Sequence, residues 1–377
     1  MDSAFRFADE LGPVKIIHVY EPSINLKGVL VVDNVAKGPS IGGLRMAEDV
    51  STEECFRLAR AMTLKNAAAG LPHGGGKSVL VGDPKMPLAQ KETLIRAFAQ
   101  ALRNEESYIF GPDMGTDELC MAWVRDEIGR SVGLPREVGG IPLDEIGATG
   151  WGLFHAVEVA LPFCDFAIDE ARVVIQGFGS VGQHAAKFLA DKGARLVACS
   201  DSQGAIFNPD GLHIEELIAL KNQGKSVIDG EQGEKMERDA VIDVECDIWI
   251  PAARPDVIDE HNMHRLNTKL IPQGANIPMT AAAEAKLYQQ GIIYIPDFIA
   301  NAGGVICAAM EYRGTTQSEA FTVIAEKIRR NTEIVLSRAK QEQLLPREAA
   351  SQLAEERVKK AMQTRRFSAF STAPNSI

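Results

Sequence analysis

The chain of 377 residues is long enough for two domains, each burying its own core. Forty Lys and Arg against 51 Asp and Glu leave a net charge of −11, which favours solubility and argues against a nucleic-acid surface. No apolar run approaches the roughly eighteen residues of a membrane span, and the start, MDSAFRFADELG, has early acids and no apolar h-region, so no signal peptide and a cytoplasmic location are expected.

The six cysteines (Cys55, Cys120, Cys164, Cys199, Cys246, Cys307) stand singly and are expected to be core thiols. From Val14 to Val32, KIIHVY and LKGVLVVDN read as paired strands around a turn at Glu21-Pro22-Ser23. Thr52 to Ala69 has helical spacing, with Phe56, Ala59 and Met62 on one side. GLPHGGGKS (Gly70–Ser78) has the look of a phosphate-binding loop, but Leu71 stands where the first glycine of GxxxxGK[ST] is required. Its context is also inverted, with a helix before and the strand SVLVGDP after. A nucleotide triphosphatase is therefore excluded, and the three glycines, each costing backbone entropy, must serve Lys77 in another way.

A helix is predicted over Pro87–Arg103, and FGPDMGT is a loop whose proline and glycines hold Asp113 firmly. The Gly/Pro-rich passage Val138–Gly152 (VGGIPLDEIGATGWG) is the expected crossing between domains. Beyond it VVIQ, a helix to Lys192, RLVACSD, DIWIPAA, KLIPQGA and IIYIPD follow a βα rhythm, which implies a parallel sheet covered by helices. Polar helices are predicted over Ser318–Gln341 and Arg347–Thr364, and the tail FSAFSTAPNSI reads as frayed.

The strand RVVIQ runs into Gly177-Phe178-Gly179-Ser180-Val181-Gly182, which opens the next helix. That context makes the GxGxxG a dinucleotide site: glycines for the tight turn, for approach to the pyrophosphate and for helix–strand contact, with the helix N-terminus facing the phosphates. Asp201, nineteen residues after Gly182, ends the following strand where an acid would bind the adenosine ribose and repel a 2′-phosphate. NAD is thus expected over NADP. Ala252, in DIWIPAA, is assigned to the same site. In the N-terminal half Lys65, Lys77 and Asp113 are the candidate reacting groups, and two lysines sharing a cleft should lower each other's pKa.

The segments IGGLRM, LARAMTLKNAAAGLPHGGGKS, GPDMGT, ATGWG, GFGSVG, GAN and NAGGV, in this order, resemble the glutamate/leucine/phenylalanine/valine dehydrogenase family from about Phe7 to Glu311. The resemblance implies reversible oxidative deamination of an L-amino acid with NAD and water to a 2-oxo acid, ammonium and NADH. It also implies roles: Lys65 binding the substrate α-carboxylate with Met62 nearby, Lys77 as catalytic lysine, and Asp113 as proton shuttle. Gly42 and Gly43 would shape the substrate pocket, Thr149 and Asn276 would contact the cofactor, and Asn301 would lie near nicotinamide and substrate. A homo-oligomer built through the N-terminal domains is implied as well.

Glutamate-specific members of that family carry a lysine before the Gly-Gly of the IGGLRM-type motif and a serine shortly after NAGGV. This chain has Ile41 and Ala308 there. Burying a carboxylate without partners costs several kcal/mol, so an apolar branched-chain or aromatic substrate is expected, as in the leucine dehydrogenase branch. Against it, GPDMGTDELCMAWVRDE, SDSQGAIFNPDGL and GANIPMT resemble the glutamate branch, and glutamate is the alternative. A catalytically silent NAD-binding regulatory protein is the alternative of another class, disfavoured because Lys77 and Asp113 are both present.

The expected fold is α/β in two domains: an N-terminal substrate and oligomerisation domain, residues 1–147 joined by helix 346–377, and a C-terminal Rossmann-type NAD domain, 148–345, with a cleft between. Hinges are expected at Gly147–Gly152 and Asn301–Gly304. No metal is expected: His261 and His264 lack a third ligand and read as a surface helix. Arg329-Arg330 and Arg365-Arg366 read as solvated faces or subunit contacts.

Overall fold

The computed structural model describes residues 5–365, so Arg366 and the tail lie outside the described residues. The described chain divides into two compact units. Unit 1 holds the residues up to Pro142, Val305–Ala320 and those from Ser351 on; unit 2 holds Leu143–Gly304 and Phe321–Ala350.

Unit 1 begins with β1 (Lys15–Glu21), β2 (Leu26–Asn34) and β3 (Ser40–Ala47), then α1 (Thr52–Ala68), β4 (Gly74–Val81), α2 (Leu88–Ala101), β5 (Tyr108–Pro112) and α3 (Glu118–Ile128). The sheet order is β1-β2-β4-β3-β5, antiparallel across β1/β2 and β2/β4 and parallel across β4/β3 and β3/β5. Successive strand residues face opposite sides. Leu30, Leu44, Leu80 and Phe110 accordingly pack with Phe98 of α2 and Trp123 of α3, while Val31 and Val79 pack with Cys55 and Ala59 of α1. Ser51 caps α1, its hydroxyl accepting from the Glu54 amide, and Glu53 and Glu54 suit the positive end of the helix dipole.

One expectation fails here. Gly74–Gly76 are not a loop before a strand but the first residues of β4, the central strand of the sheet. The reason is close packing: a Cβ on Gly75 would sit 1.9 Å from the Thr63 amide nitrogen of α1.

Unit 2 contains α4 (Ala148–Ala160), β6 (Arg172–Gln176), α5 (Ser180–Ala190), β7 (Arg195–Ser200), β8 (Ala205–Phe207), α6 (Ile214–Asn222) and β9 (Glu234–Met236). It continues with β10 (Ile248–Pro251), β11 (Leu270–Pro272), α7 (Ala281–Gln289), β12 (Ile293–Ile295) and α8 (Asp297–Ala300). The sheet order β12-β11-β10-β6-β7-β8-β9 is parallel through β7, with β8 and β9 added antiparallel. The runs VVI and IWI are buried, as central parallel strands covered on both faces require. Strand order reverses between β6 and β10, which puts the ligand crevice at their carboxyl ends.

Among the described residues three further helices follow: α9 (Gly303–Tyr312), α10 (Gln317–Glu342) and α11 (Pro346–Thr364). The division between units departs from the expected bounds. Leu143–Gly147 falls in unit 2, Val305–Ala320 in unit 1, and the change within α11 comes after Ala350. The buried Glu311 carboxylate explains the second point, because it accepts the amides of Gly133 (2.8 Å), Leu134 (3.2 Å) and Ile141 (2.8 Å) and ties α9 into unit 1. The last turns of α11 belong to unit 1 as well: Arg357 Nη1 donates to the Ala67 and Ala68 carbonyls at the end of α1 (3.2 and 2.6 Å), and Lys359 pairs with Glu10.

Candidate active site

Strand alternation builds the polar centre of unit 1. Ile41, Gly43 and Arg45 of β3 and Lys77 of β4 lie on the face of the sheet turned to α1, opposite Leu44, Met46 and Leu80. Lys77 is only 6% exposed, and its Nζ lies 2.7 Å from Asp113 Oδ2, just past the end of β5. The same oxygen accepts from Arg45 Nε at 2.9 Å, and Arg45 Nη1 reaches Glu54 at 2.6 Å. Gly43 is required for this meeting. A Cβ there would stand 2.7 Å from Asp113 Cβ and 3.1 Å from Lys77 Nζ.

Thr116 fixes the loop that carries Asp113, its hydroxyl donating to the Leu44 carbonyl (2.7 Å) and accepting from the Asp113 amide (3.0 Å). The Gly42 carbonyl accepts from the Tyr108 hydroxyl (2.7 Å), which also meets Ser78, so β3, β4 and β5 are locked beside one another.

Burial pushes the Lys77 ammonium below its ordinary value while Asp113 pulls it back, and the Arg45 charge, which the sequence reading did not include, adds to the fall. Burial alone would raise Asp113, yet Lys77 and Arg45 more than offset this and hold it below the ordinary carboxylate value. The outcome is an ion pair of a buried amine and an ionised carboxylate.

Met62 and Lys65 are half-buried at i, i+3 on the later turns of α1. Ile41 is buried, and Ala308 is half-buried on α9. Sequence reading missed Arg45, although its place two residues after Gly43 on a strand was the signal for it. It also missed Glu311, for which no local signal exists.

In unit 2 a cavity of about 420 Å³ opens at the carboxyl ends of β6 and β10, lined by Gly177, Gly179, Asp201, Lys221, Arg238, Ala252 and Arg254 among others. A Cβ on Gly179 would meet nothing within 4 Å, so the backbone at the start of α5 faces open space that a pyrophosphate can enter. Gly182 and Val181 lie in the first turn of α5, and the Ser180 hydroxyl donates to the Asp144 carbonyl. Ala252 sits against β6, its amide donating to Gln176 (2.7 Å).

Asp201 lines this cavity, but its carboxylate is already engaged. It accepts from Lys221 Nζ (2.7 Å), Ser226 Oγ (2.8 Å) and the amides of Gln203 (2.9 Å) and Val227 (3.0 Å), and its side chain is 7% exposed. The spacing argument placed Asp201 at this cavity but did not foresee the Lys221 ammonium paired with it. Thr149 occupies the first turn of α4, and Asn301 Nδ2 donates to Asn276 Oδ1 at 3.0 Å. His264 lies on a single turn of 3-10 helix rather than on the expected surface helix, because the backbone there is pinned by Asp259 and Asn262. Arg329 of α10 pairs with Glu158 (2.6 Å), so it is not simply solvated.

Two family models together span most of the chain. Residues 18–130 match the Glu/Leu/Phe/Val dehydrogenase dimerisation domain, and 139–366 match Glutamate/Leucine/Phenylalanine/Valine dehydrogenase. The chain belongs to that family. It is an amino acid dehydrogenase, an oxidoreductase acting on the CH–NH2 group with a nicotinamide dinucleotide.

This dehydrogenase is 36% identical over 355 residues to glutamate dehydrogenase of Aeropyrum pernix, covering 88% of this chain and 85% of the relative. It is 36% identical over 292 residues to NADP-specific glutamate dehydrogenase of Saccharolobus shibatae, covering 74% and 69%. Its structure superposes on the hetero-hexameric glutamate dehydrogenase of Thermus thermophilus in its leucine-bound form with a TM-score of 0.82 at 28% identity, covering 94% and 91%. These relatives fit the glutamate alternative better than the leucine branch expected from Ile41 and Ala308. Among the described residues no helix of this dehydrogenase is long and apolar enough to cross a membrane, and no group of three His, Cys, Asp or Glu is placed to hold a metal.

Proposed function

We propose that the enzyme interconverts an L-amino acid, water and oxidised cofactor with a 2-oxo acid, ammonium and reduced cofactor, using Lys77 and Asp113. The observation that carries this reading is the buried Lys77–Asp113 pair, 2.7 Å apart. The Gly177–Gly182 turn would hold a nicotinamide dinucleotide, which would supply the hydride acceptor for oxidation of the substrate Cα–N bond to an iminium. Lys65 anchors the α-carboxylate with Met62 beside it. The Lys77 ammonium polarises the water that adds to the iminium carbon, and then the carbinolamine oxygen. Asp113 carries protons to and from the nitrogen, so that ammonium leaves as the C=O bond forms. Burial lowers the pKa of Lys77, which eases proton exchange on the same amine.

For the side chain we place an apolar substrate first. Ile41 is 6% exposed on the strand face that carries Gly43 and Lys77, and Ala308 offers no hydroxyl. An apolar side chain gains about 1.5–3 kcal/mol on burial, whereas an unpaired carboxylate loses several. Glutamate is the second reading, favoured by the names of the relatives at 36% identity.

For the cofactor, NAD fits the Gly177–Gly182 turn and the Asp201 position. The neutralising contact from Lys221, with Arg238 and Arg254 in the same cavity, adds NADP as an acceptable ligand. Thr149, Asn276 and Asn301 take the nicotinamide half. A homo-oligomer assembled through unit 1 is supported by the dimerisation-domain match and by half-exposed β1 at its sheet edge.

The test is absorbance of reduced cofactor with NAD or NADP and a panel of L-amino acids. Turnover of leucine, valine, isoleucine or phenylalanine above glutamate is expected. Absence of turnover with every amino acid would leave the silent regulatory protein as the correct reading.

A further inference from the structure

The last helix begins inside unit 2 with a buried charge cluster. Arg347, the second residue of α11, donates through Nε to Glu284 Oε2 (2.7 Å) and through Nη2 to Glu284 Oε1 (2.6 Å) and Gln273 Oε1 (2.9 Å). Its Nη1 lies 2.9 Å from Asp297 Oδ1. Glu284 is 1% exposed, Gln273 0% and Asp297 5%, so the guanidinium is the cation that allows two carboxylates to be buried together. Arginine's planar fork suits the task, because it binds the Glu284 carboxylate bidentately and the Gln273 oxygen while setting its charge beside Asp297 as an ion pair.

The cluster leads to the candidate cofactor asparagines. Asp297 accepts the Ile277 amide through Oδ2 (3.0 Å), and its own carbonyl accepts the Asn301 amide (2.7 Å). Asn301 Nδ2 then donates to Asn276 Oδ1 (3.0 Å) and to the Gly274 carbonyl (3.3 Å), which closes a ring of contacts. Ile277, directly after Asn276, has φ +48°, a left-handed backbone that a β-branched residue adopts only when its surroundings enforce it. The side chain of Ile277 is not what holds it, since the residue is 57% exposed. Two contacts enforce it: the Asp297 carboxylate on the Ile277 amide, and the Asp256 amide, which donates to the Ile277 carbonyl (2.9 Å); Asp297 is paired in turn with Arg347.

We propose that Arg347 is a positioning residue for the nicotinamide half of the cofactor site, acting through Asp297 to hold the strained Asn276-Ile277 turn and the Asn276–Asn301 pair. The proposal rests on the reading above in which those asparagines meet the cofactor. It assigns a role to a residue that touches neither cofactor nor substrate.

The test compares NADH with ADP, which probes the adenosine half alone. In the full-length Arg347→Lys enzyme NADH should bind about ten-fold more weakly, with ADP affinity within about twofold of wild type. Adding Ile277→Asn, a residue that tolerates positive φ, should recover most of the lost NADH affinity, which a general loss of stability would not allow. If Arg347→Lys does not fold, Asp297→Asn carries the same expectations. Unchanged NADH affinity, or equal loss for NADH and ADP, overturns the proposal. Normal NADH binding by both Asn276→Ala and Asn301→Ala overturns instead the cofactor reading of the pair, whereas loss there with intact binding in Arg347→Lys overturns the clamp.

Discussion

Asp113 Oδ2 receives Lys77 Nζ at 2.7 Å and Arg45 Nε at 2.9 Å, so one carboxylate oxygen serves two cations and Arg45 competes with the amine for it. Arg45 thereby keeps Asp113 ionised while adding a like charge that lowers Lys77. Lys77→Ala should abolish turnover and leave NADH binding unaltered. Asp113→Asn keeps the shape but cannot take a proton, and kcat should fall about 10²–10⁴-fold, the range for a lost general acid–base group. Steady-state kinetics beside NADH titration check both, and substantial turnover in Lys77→Ala would remove Lys77 from the chemistry.

Ile41 sets the second expectation. Placing a cation at that position should favour a substrate carboxylate, and Ala308→Ser adds a hydroxyl partner for it. In Ile41→Lys/Ala308→Ser the ratio of kcat/KM for glutamate over leucine should rise at least about ten-fold, equivalent to ~1.4 kcal/mol. A wild-type enzyme that already prefers glutamate strongly would show that another group holds the γ-carboxylate, and the apolar assignment would fall.

Much of this was legible because short-range rules decide it. The helical spacing of Thr52–Ala69 and the βα rhythm after Arg172 found α1 and the parallel sheet within a residue or two at most ends. GFGSVG was placed by strand and helix together. What escaped depends on groups distant in sequence. Glycine's weak strand propensity makes GGGK read as a loop, and only the approach of Thr63 shows why strand β4 must begin there. Asp201 was found by its spacing, but Lys221 and Ser226 reach it through the fold of α6 and the turn beyond. Glu311 fastens backbone amides and Arg347 fastens side chains far away along the chain, and no periodicity announces such contacts.

The neutralised Asp201 gives the third expectation. NAD and NADP should differ in kcat/KM by less than about 100-fold, because Lys221 cancels the charge that would repel a 2′-phosphate. Arg254→Ala should weaken NADPH about ten-fold and NADH by little, if that exposed arginine serves the 2′-phosphate. Equal losses for the two cofactors would place Arg254 outside phosphate recognition.

His73, in the turn before β4, supplies a prediction about pH. It is 1% exposed; Nδ1 faces the Pro39 carbonyl at 3.1 Å, and Nε2 is buried without a hydrogen-bond partner. Burial pushes its pKa from 6.5 down to about 4, with the nearby Arg313 charge adding to the fall. The folded state therefore prefers the neutral ring, and the unfolded state binds the extra proton between those two values. Stability from this residue is complete above the unfolded value and is lost as pH falls from about 6.5 towards 4. At about 1.4 kcal/mol per pH unit, the loss on going from pH ~7.5 to ~5 should be about 2 kcal/mol. His73→Asn can still donate to Pro39 but cannot titrate, so its unfolding free energy should fall less over that range. Urea unfolding of both proteins at the two pH values measures the difference, and the same pH slope in both would mean that His73 stays neutral in the unfolded chain or charged in the fold.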